Sequence, residues 1–196
     1  MRKLLISVVF AFALLTTPLF ANDFYGQDSF EVPQGFSLGI TANFGGCTGK
    51  CGEGLEPGAG IGLSIGYRAS SSFGLYVEGM KNFVHPAEGD VDNINVSFIQ
   101  ANIGANFYLF PASKFQPLIT FGLGHAQKTW ENDNGVELDA SVVEETVFLG
   151  FGGEYIISDK MTIPFKLQYS KVFINDNNDT SKDSLWNVVV GFNYYF

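Results

Sequence analysis

Beyond its first 21 residues the chain has no apolar stretch approaching the roughly 20 residues that a membrane-spanning helix needs. If the protein crosses a membrane, it must do so with strands. Basic residues are scarce as well, 11 Lys+Arg standing against 20 Asp+Glu. That balance argues against nucleic acid as a partner and against attraction to anionic lipid surfaces, both of which call for clustered Lys and Arg. His85 and His125 are the only histidines, so any histidine-dependent catalysis rests on one of them. Cys47 and Cys51 are the only cysteines. A zinc site would need two further ligands, and no His or Cys lies near enough in sequence to supply them. No metal or other cofactor is expected.

The N-terminus has the layout of a secretory signal peptide. Basic Met1-Arg2-Lys3 is followed by an apolar run from Leu4 to Leu15 and then by Thr16-Thr17-Pro18-Leu19-Phe20-Ala21. The run is too short for a spanning helix. Ala21 supplies the small residue before the cut, which divides the chain into a signal peptide (1–21), a short periplasmic arm (22–34) and one domain (35–196). Cleavage would remove Arg2 and Lys3 and leave the mature chain more acidic still. Export through an oxidising compartment makes a disulfide between Cys47 and Cys51 the expected state of the two thiols.

From Gly35 onward, apolar residues alternate with small or polar ones in segments of about ten, the signature of strands with two unlike faces. Phe36, Leu38, Ile40, Ala42 and Phe44 oppose Ser37, Gly39, Thr41 and Asn43. Ile99, Ala101, Ile103, Ala105 and Phe107 oppose Gln100, Asn102, Gly104, Asn106 and Tyr108. Val188, Val190, Phe192, Tyr194 and Phe196 oppose Asn187, Val189, Gly191, Asn193 and Tyr195. The pattern predicts eight strands. Tight turns are expected at 69–72, 111–115 and 158–160, and longer polar loops at 45–58, 82–93, 129–140 and 174–184. Short turns at one end and long loops at the other describe an all-β, eight-stranded, antiparallel, up-and-down transmembrane β-barrel with its short turns in the periplasm. A soluble lipocalin-type barrel also has eight alternating strands. However, a barrel this narrow cannot hold Phe, Leu, Ile and Tyr from every strand in its interior. The apolar face must point outward, into lipid.

The last strand, Asn187 to Phe196, ends on phenylalanine with aromatics at alternate positions before it. It resembles the C-terminal signal of outer-membrane proteins, which implies that Phe192, Tyr194 and Phe196 are read by the barrel assembly machinery. Gln116-Pro117-Leu118-Ile119-Thr120-Phe121-Gly122-Leu123-Gly124, and Phe148-Leu149-Gly150-Phe151-Gly152-Gly153-Glu154-Tyr155 before Ser158-Asp159-Lys160, are similar to strands of the small barrels related to the OmpA transmembrane domain and OmpX. OmpA-type proteins carry a peptidoglycan-binding domain after the barrel, whereas this sequence stops at Phe196, so no tether of that kind is expected.

Four charges share the inward parity: Arg68, Glu78, Glu154 and Lys166. Charges in a narrow lumen must pair, and Glu154 and Lys166, flanking the turn near Asp159, are expected to be diagonal partners. Such a network is either a structural plug or the gate of a narrow pore, and the plug is favoured because eight strands leave an interior that side chains just fill. Lys81, His125 and Lys171 share the outward parity near the loop ends, where they are candidates for contact with lipopolysaccharide phosphates or for snorkelling at the interface. Some eight-stranded barrels are lipid A deacylases or acyltransferases with a His and Ser at the rim. His125 is followed by Ala126-Gln127-Lys128, without the nearby Ser of the deacylase pattern, and is expected to face outward beside Glu145. The loops are acidic, with Glu88, Asp90 and Asp92, then Glu131, Asp133, Glu137 and Asp139, then Asp176, Asp179 and Asp183. They are read as solvated surface, with Asn134-Gly135 as a hairpin turn. The expectation is a monomeric, non-enzymatic outer-membrane barrel with a structural or surface-interaction role, in contact with lipid, lipopolysaccharide and, through its loops, an extracellular protein partner. A narrow pore is the second reading and a lipid A-modifying enzyme the third.

Overall fold

The computed structural model describes residues 31–49, 55–86, 94–110, 113–132, 137–174 and 183–196, with side chains omitted at 84–86, 94–95, 130–132, 137–144 and 173–174. The expected signal peptide, most of the expected periplasmic arm, Cys51 and the expected turn at Asn134-Gly135 lie outside the described residues. Nine strands follow in order: β1 Gly35–Thr48, β2 Leu55–Glu56, β3 Gly58–Ser70, β4 Phe73–Pro86, β5 Ile94–Tyr108, β6 Phe115–Asn132, β7 Glu137–Ser158, β8 Met161–Ile174 and β9 Ser184–Tyr195. Eight of them form the wall. Each pairs antiparallel with its neighbour in sequence, β1 pairs with β9, and β4 pairs with β5, so the sheet closes on itself. The two-residue β2 only extends the edge of β4, where Leu55 faces Pro86.

Closure leaves no wall strand without a neighbour, which satisfies the backbone in a medium that offers it no water. At the seam, the Phe196 amide donates to the Phe36 carbonyl at 3.0 Å. The outer surface carries the apolar face: Leu63, Ile61, Ile103 and Leu123 are all more than 60% exposed. Inward positions are polar and buried, among them Thr120, Gln116, Gln168 and Asn187 at 0%. Aromatic pairs girdle the turn end, with Phe36 against Tyr67, Phe73 against Phe107 and Phe115 stacked on Phe165. Gly104 and Gly122 face the lumen where the Phe148 and Tyr76 rings enter it. A Cβ on Gly104 would meet the Phe148 ring at 2.7 Å, so these glycines make room for two aromatics in a narrow barrel.

The loop boundaries differ from the sequence expectation. β1 runs on to Thr48, β4 to Pro86 and β6 to Asn132, and β7 has 22 residues, about twice what crosses a bilayer. The segments expected to be loops at 45–58, 82–93 and 129–140 are therefore partly strand. Above the membrane both faces of a hairpin meet water, so the alternation fades, while backbone groups still pair along the ladder.

Candidate functional site

The lumen is filled in layers. Nearest the turns, five strand ends deliver Arg68, Tyr108, Gln116, Glu154 and Tyr195. Glu154 accepts hydrogen bonds from the Tyr108 hydroxyl at 2.8 Å and the Tyr195 hydroxyl at 3.0 Å. Arg68 Nη1 lies 3.7 Å from the Glu154 carboxylate. The guanidinium stacks 3.7 Å above the Tyr108 ring and also donates to Gln116 Oε1 and to the Ser71 carbonyl. Arg68 and Glu154 are each about 1 to 2% exposed, so the pair is screened from bulk water. Arg68 faces Gly74 across the ladder, and the absent side chain there leaves it space to turn inward.

One layer higher, Lys166 Nζ donates to Glu78 Oε2 at 2.7 Å and sits 4.4 Å over the Tyr76 ring, while the Tyr76 hydroxyl bonds Thr120 Oγ1 at 2.7 Å. Above this an amide chain crosses the barrel: Asn43 donates to Asn82 at 2.6 Å, Asn82 to Asn187 at 2.9 Å, and Asn187 to Gln100 at 3.3 Å. The loop end is apolar. Val96, Phe98, Ala126 and Leu185 form a buried cluster, with Cys47 and Leu55 packed against it. Between the two charged layers lies a cavity of about 50 Å³ bordered by Arg68, Tyr76, Glu78, Glu154 and Lys166. It is room for a few waters.

The four charges expected in the lumen are there, but they pair differently. Glu154 binds Arg68, and Lys166 binds Glu78 on the far wall. The expected Glu154–Lys166 pair is not among the ion pairs of the described residues. Lys166 lies opposite Gly152 and Glu154 opposite Pro164, so the two are diagonal and roughly 7–8 Å apart at the backbone. In a barrel this narrow the opposite wall is equally near, and the lysine stem spans it. Tyr108, Tyr195 and Gln116 were not anticipated as partners, although a tyrosine on the polar face of a strand marks a hydroxyl that needs a bond.

On the outside, Lys81, His125 and Lys171 occupy alternate strands β4, β6 and β8. The register shows how they relate. A row of facing residues runs Ile40, Leu63, Gly79, Ala101, His125, Glu145 and Ile174. Lys171 instead lies on the row through Ser184 that reaches β1 at Thr48. A straight row therefore climbs toward the loop end as it circles the wall, as strand stagger requires, and residues at one height step back a residue or so per strand. That correction brings Lys81, His125 and Lys171 to about one level, beside the edge-on pair of Phe44 and Trp186 at 5.9 Å. His125 is exposed and faces Glu145, with Ala101 on its other side. Lys171 already donates to the Asp183 carbonyl at 3.2 Å and to Ser184 Oγ at 3.4 Å. Phe192, Tyr194 and Phe196 are exposed on the outer face of the closing strand.

Residues 8–196 match the family model described as the outer membrane protein beta-barrel domain. Among solved structures, the chain is similar to Neisserial surface protein A, at 12% identity and a TM-score of 0.68 over 85% of this chain and 100% of that one. It is also similar to Ail, the attachment invasion locus protein of Yersinia pestis (15% identity, TM-score 0.55, 84% and 100% covered), a protein also crystallised with the heparin analogue sucrose octasulfate. The outer membrane protein OprG of Pseudomonas aeruginosa is a third, at 12% identity and a TM-score of 0.55, with 86% and 99% covered. No curated protein sequence matches the chain.

Proposed function

The chain belongs to the outer membrane protein β-barrel family, and from that premise we propose that it is a plugged barrel of the Gram-negative outer membrane with a structural and surface-interaction role, neither a pore nor an enzyme. The observation that carries this reading is the pair of cross-lumen ion pairs, Arg68 with Glu154 and Lys166 with Glu78. The network is neutral, anchored on opposite walls and capped by the amide chain and the apolar cluster above it. A gate would need a free charge or a loose segment in the path, whereas these four are held by tyrosines, Gln116 and backbone carbonyls. The non-catalytic reading is supported by the surroundings of His125. Ala101, Glu145, Leu123 and Gln127 adjoin it on the outer face, and none supplies a nucleophilic hydroxyl.

Contact of Lys81, His125 and Lys171 with phosphates of outer-leaflet lipopolysaccharide is supported by their standing at about one level on the outer face. Phe192, Tyr194 and Phe196 serve as the assembly signal read by the barrel assembly machinery. A Cys47–Cys51 disulfide is the state proposed for the two thiols, a reading supported by export through an oxidising compartment. The acidic loop sequences disfavour a polysulfated ligand and leave a protein as the partner of the outer surface. Two measurements on the full chain test the whole: swelling of proteoliposomes in small sugars, expected to be absent, and lipid A mass spectra from cells with and without the protein, expected to be identical. Swelling would establish a pore, and a lost or gained acyl chain would establish an enzyme.

A further inference from the structure

The lipid-facing wall is not uniformly convex. A groove of about 930 Å³ crosses it from β9 to β5, floored where the outward side chains are small, at Ala42, Gly79 and Ala101, and walled by Ile40, Ile61, Leu63 and Ile99. The outer side of Gly79 is open: a Cβ added there would meet no atom within 4 Å. Since rows of facing residues climb as they pass from β1 to β5, the groove rises obliquely from Val190 and Phe192 to Ile99 and Ala101, with Lys81 on its loop-side rim beside Ile99. Lys81 is half-buried, with its ammonium 5.3 Å from the Phe83 ring, and stands on the interfacial level defined by His125 and the Phe44–Trp186 pair.

We propose that this groove is a binding site for one phosphorylated, multiply acylated glycolipid of the outer leaflet. An acyl chain lies over Gly79 and Ala101, and a headgroup phosphate bonds the Lys81 ammonium, with His125 two strands on along the same headgroup. The inference rests on the outer-membrane reading and deepens the lipid contact of the rim. Bulk lipid wets any apolar wall, but two features distinguish a site from that wetting. The depression is floored by the small residues Ala42, Gly79 and Ala101, and the cation sits on its loop-side rim, where an anionic headgroup belongs and a chain terminus does not. Charge complementarity at that rim selects a phosphoglycolipid over a zwitterionic phospholipid.

The test is native mass spectrometry of the refolded full chain, offered equimolar hexa-acyl bisphosphoryl lipid A and phosphatidylethanolamine and then washed with detergent. One lipid A per chain should be retained by the natural sequence. Retention should fall about tenfold in Lys81→Gln, which removes the phosphate contact, and similarly in Gly79→Leu, which fills the groove. Because Gly79 opens onto lipid, the leucine variant should still fold, and Ala101→Leu supplies a second filled groove. Equal retention in the natural chain and all variants, or equal retention of the two lipids, overturns the proposal. Heat-modifiable mobility and the swelling assay, read on the same samples, report separately on the plugged-barrel reading.

Discussion

Replacing Lys166 with Met should destabilise the barrel, and the identity of the rescuing change reports which carboxylate was its partner. At the 2.7 Å separation of Lys166 and Glu78, an effective dielectric of about 20 gives a Coulombic attraction of about 6 kcal/mol, before desolvation is counted. Breaking a buried pair by removing one member leaves the other charge uncompensated and costs about 3–5 kcal/mol. Methionine keeps most of the stem volume, so packing changes little, though the contact of the ammonium with the Tyr76 ring is lost as well. Urea unfolding of the refolded protein in lipid vesicles should show that loss. The double variant Lys166→Met with Glu78→Gln should recover most of it, because the stranded charge is gone. Lys166→Met with Glu154→Gln should recover nothing and should fall further, since Glu154 serves Arg68, Tyr108 and Tyr195. Recovery through Glu154→Gln, or an Lys166→Met variant as stable as the natural chain, would refute the assignment of the pairs.

Tyr108→Phe should lower stability by about 1.5–3 kcal/mol in the same assay, the range for a hydrogen bond to a charged group, by removing the 2.8 Å bond to Glu154 while keeping the ring under Arg68. Deleting Phe196 removes both the terminal aromatic and an amide bonded to Phe36 at the seam. The membrane fraction should then hold much less heat-modifiable barrel. Thiol alkylation of the exported protein should label Cys47 and Cys51 only after reduction, and labelling of both without reductant would exclude the disulfide.

The outward direction of each strand was legible because a strand has a period of two, and lipid imposes one polarity on one face. Ile61, Leu63 and Ile103 could be oriented from sequence alone, as could Gln100, Asn102 and Gln168. Pairing inside the lumen was not legible. Local spacing finds Glu154 near Lys166 across one turn, but the choice between Glu154 and Glu78 depends on the stagger of the closed sheet, which no single hairpin contains. The apolar mouth was hidden for a related reason. Val96 and Phe98 continue the inward parity of Gln100, yet a rule that makes inward residues polar gives them no place. Strand ends above the membrane escaped because they are held by backbone pairing, as between β5 and β6 up to Ile94 and Asn132.

The central claim is that the lumen is closed by its own side chains, and single-channel recording of the refolded protein in a planar bilayer tests it most directly. The bilayer should stay silent for the natural chain and for Lys166→Met with Glu78→Gln, where a neutral plug replaces a charged one. Stepwise currents through the natural chain that grow in Lys166→Met would contradict it and make the Lys166–Glu78 pair a gate.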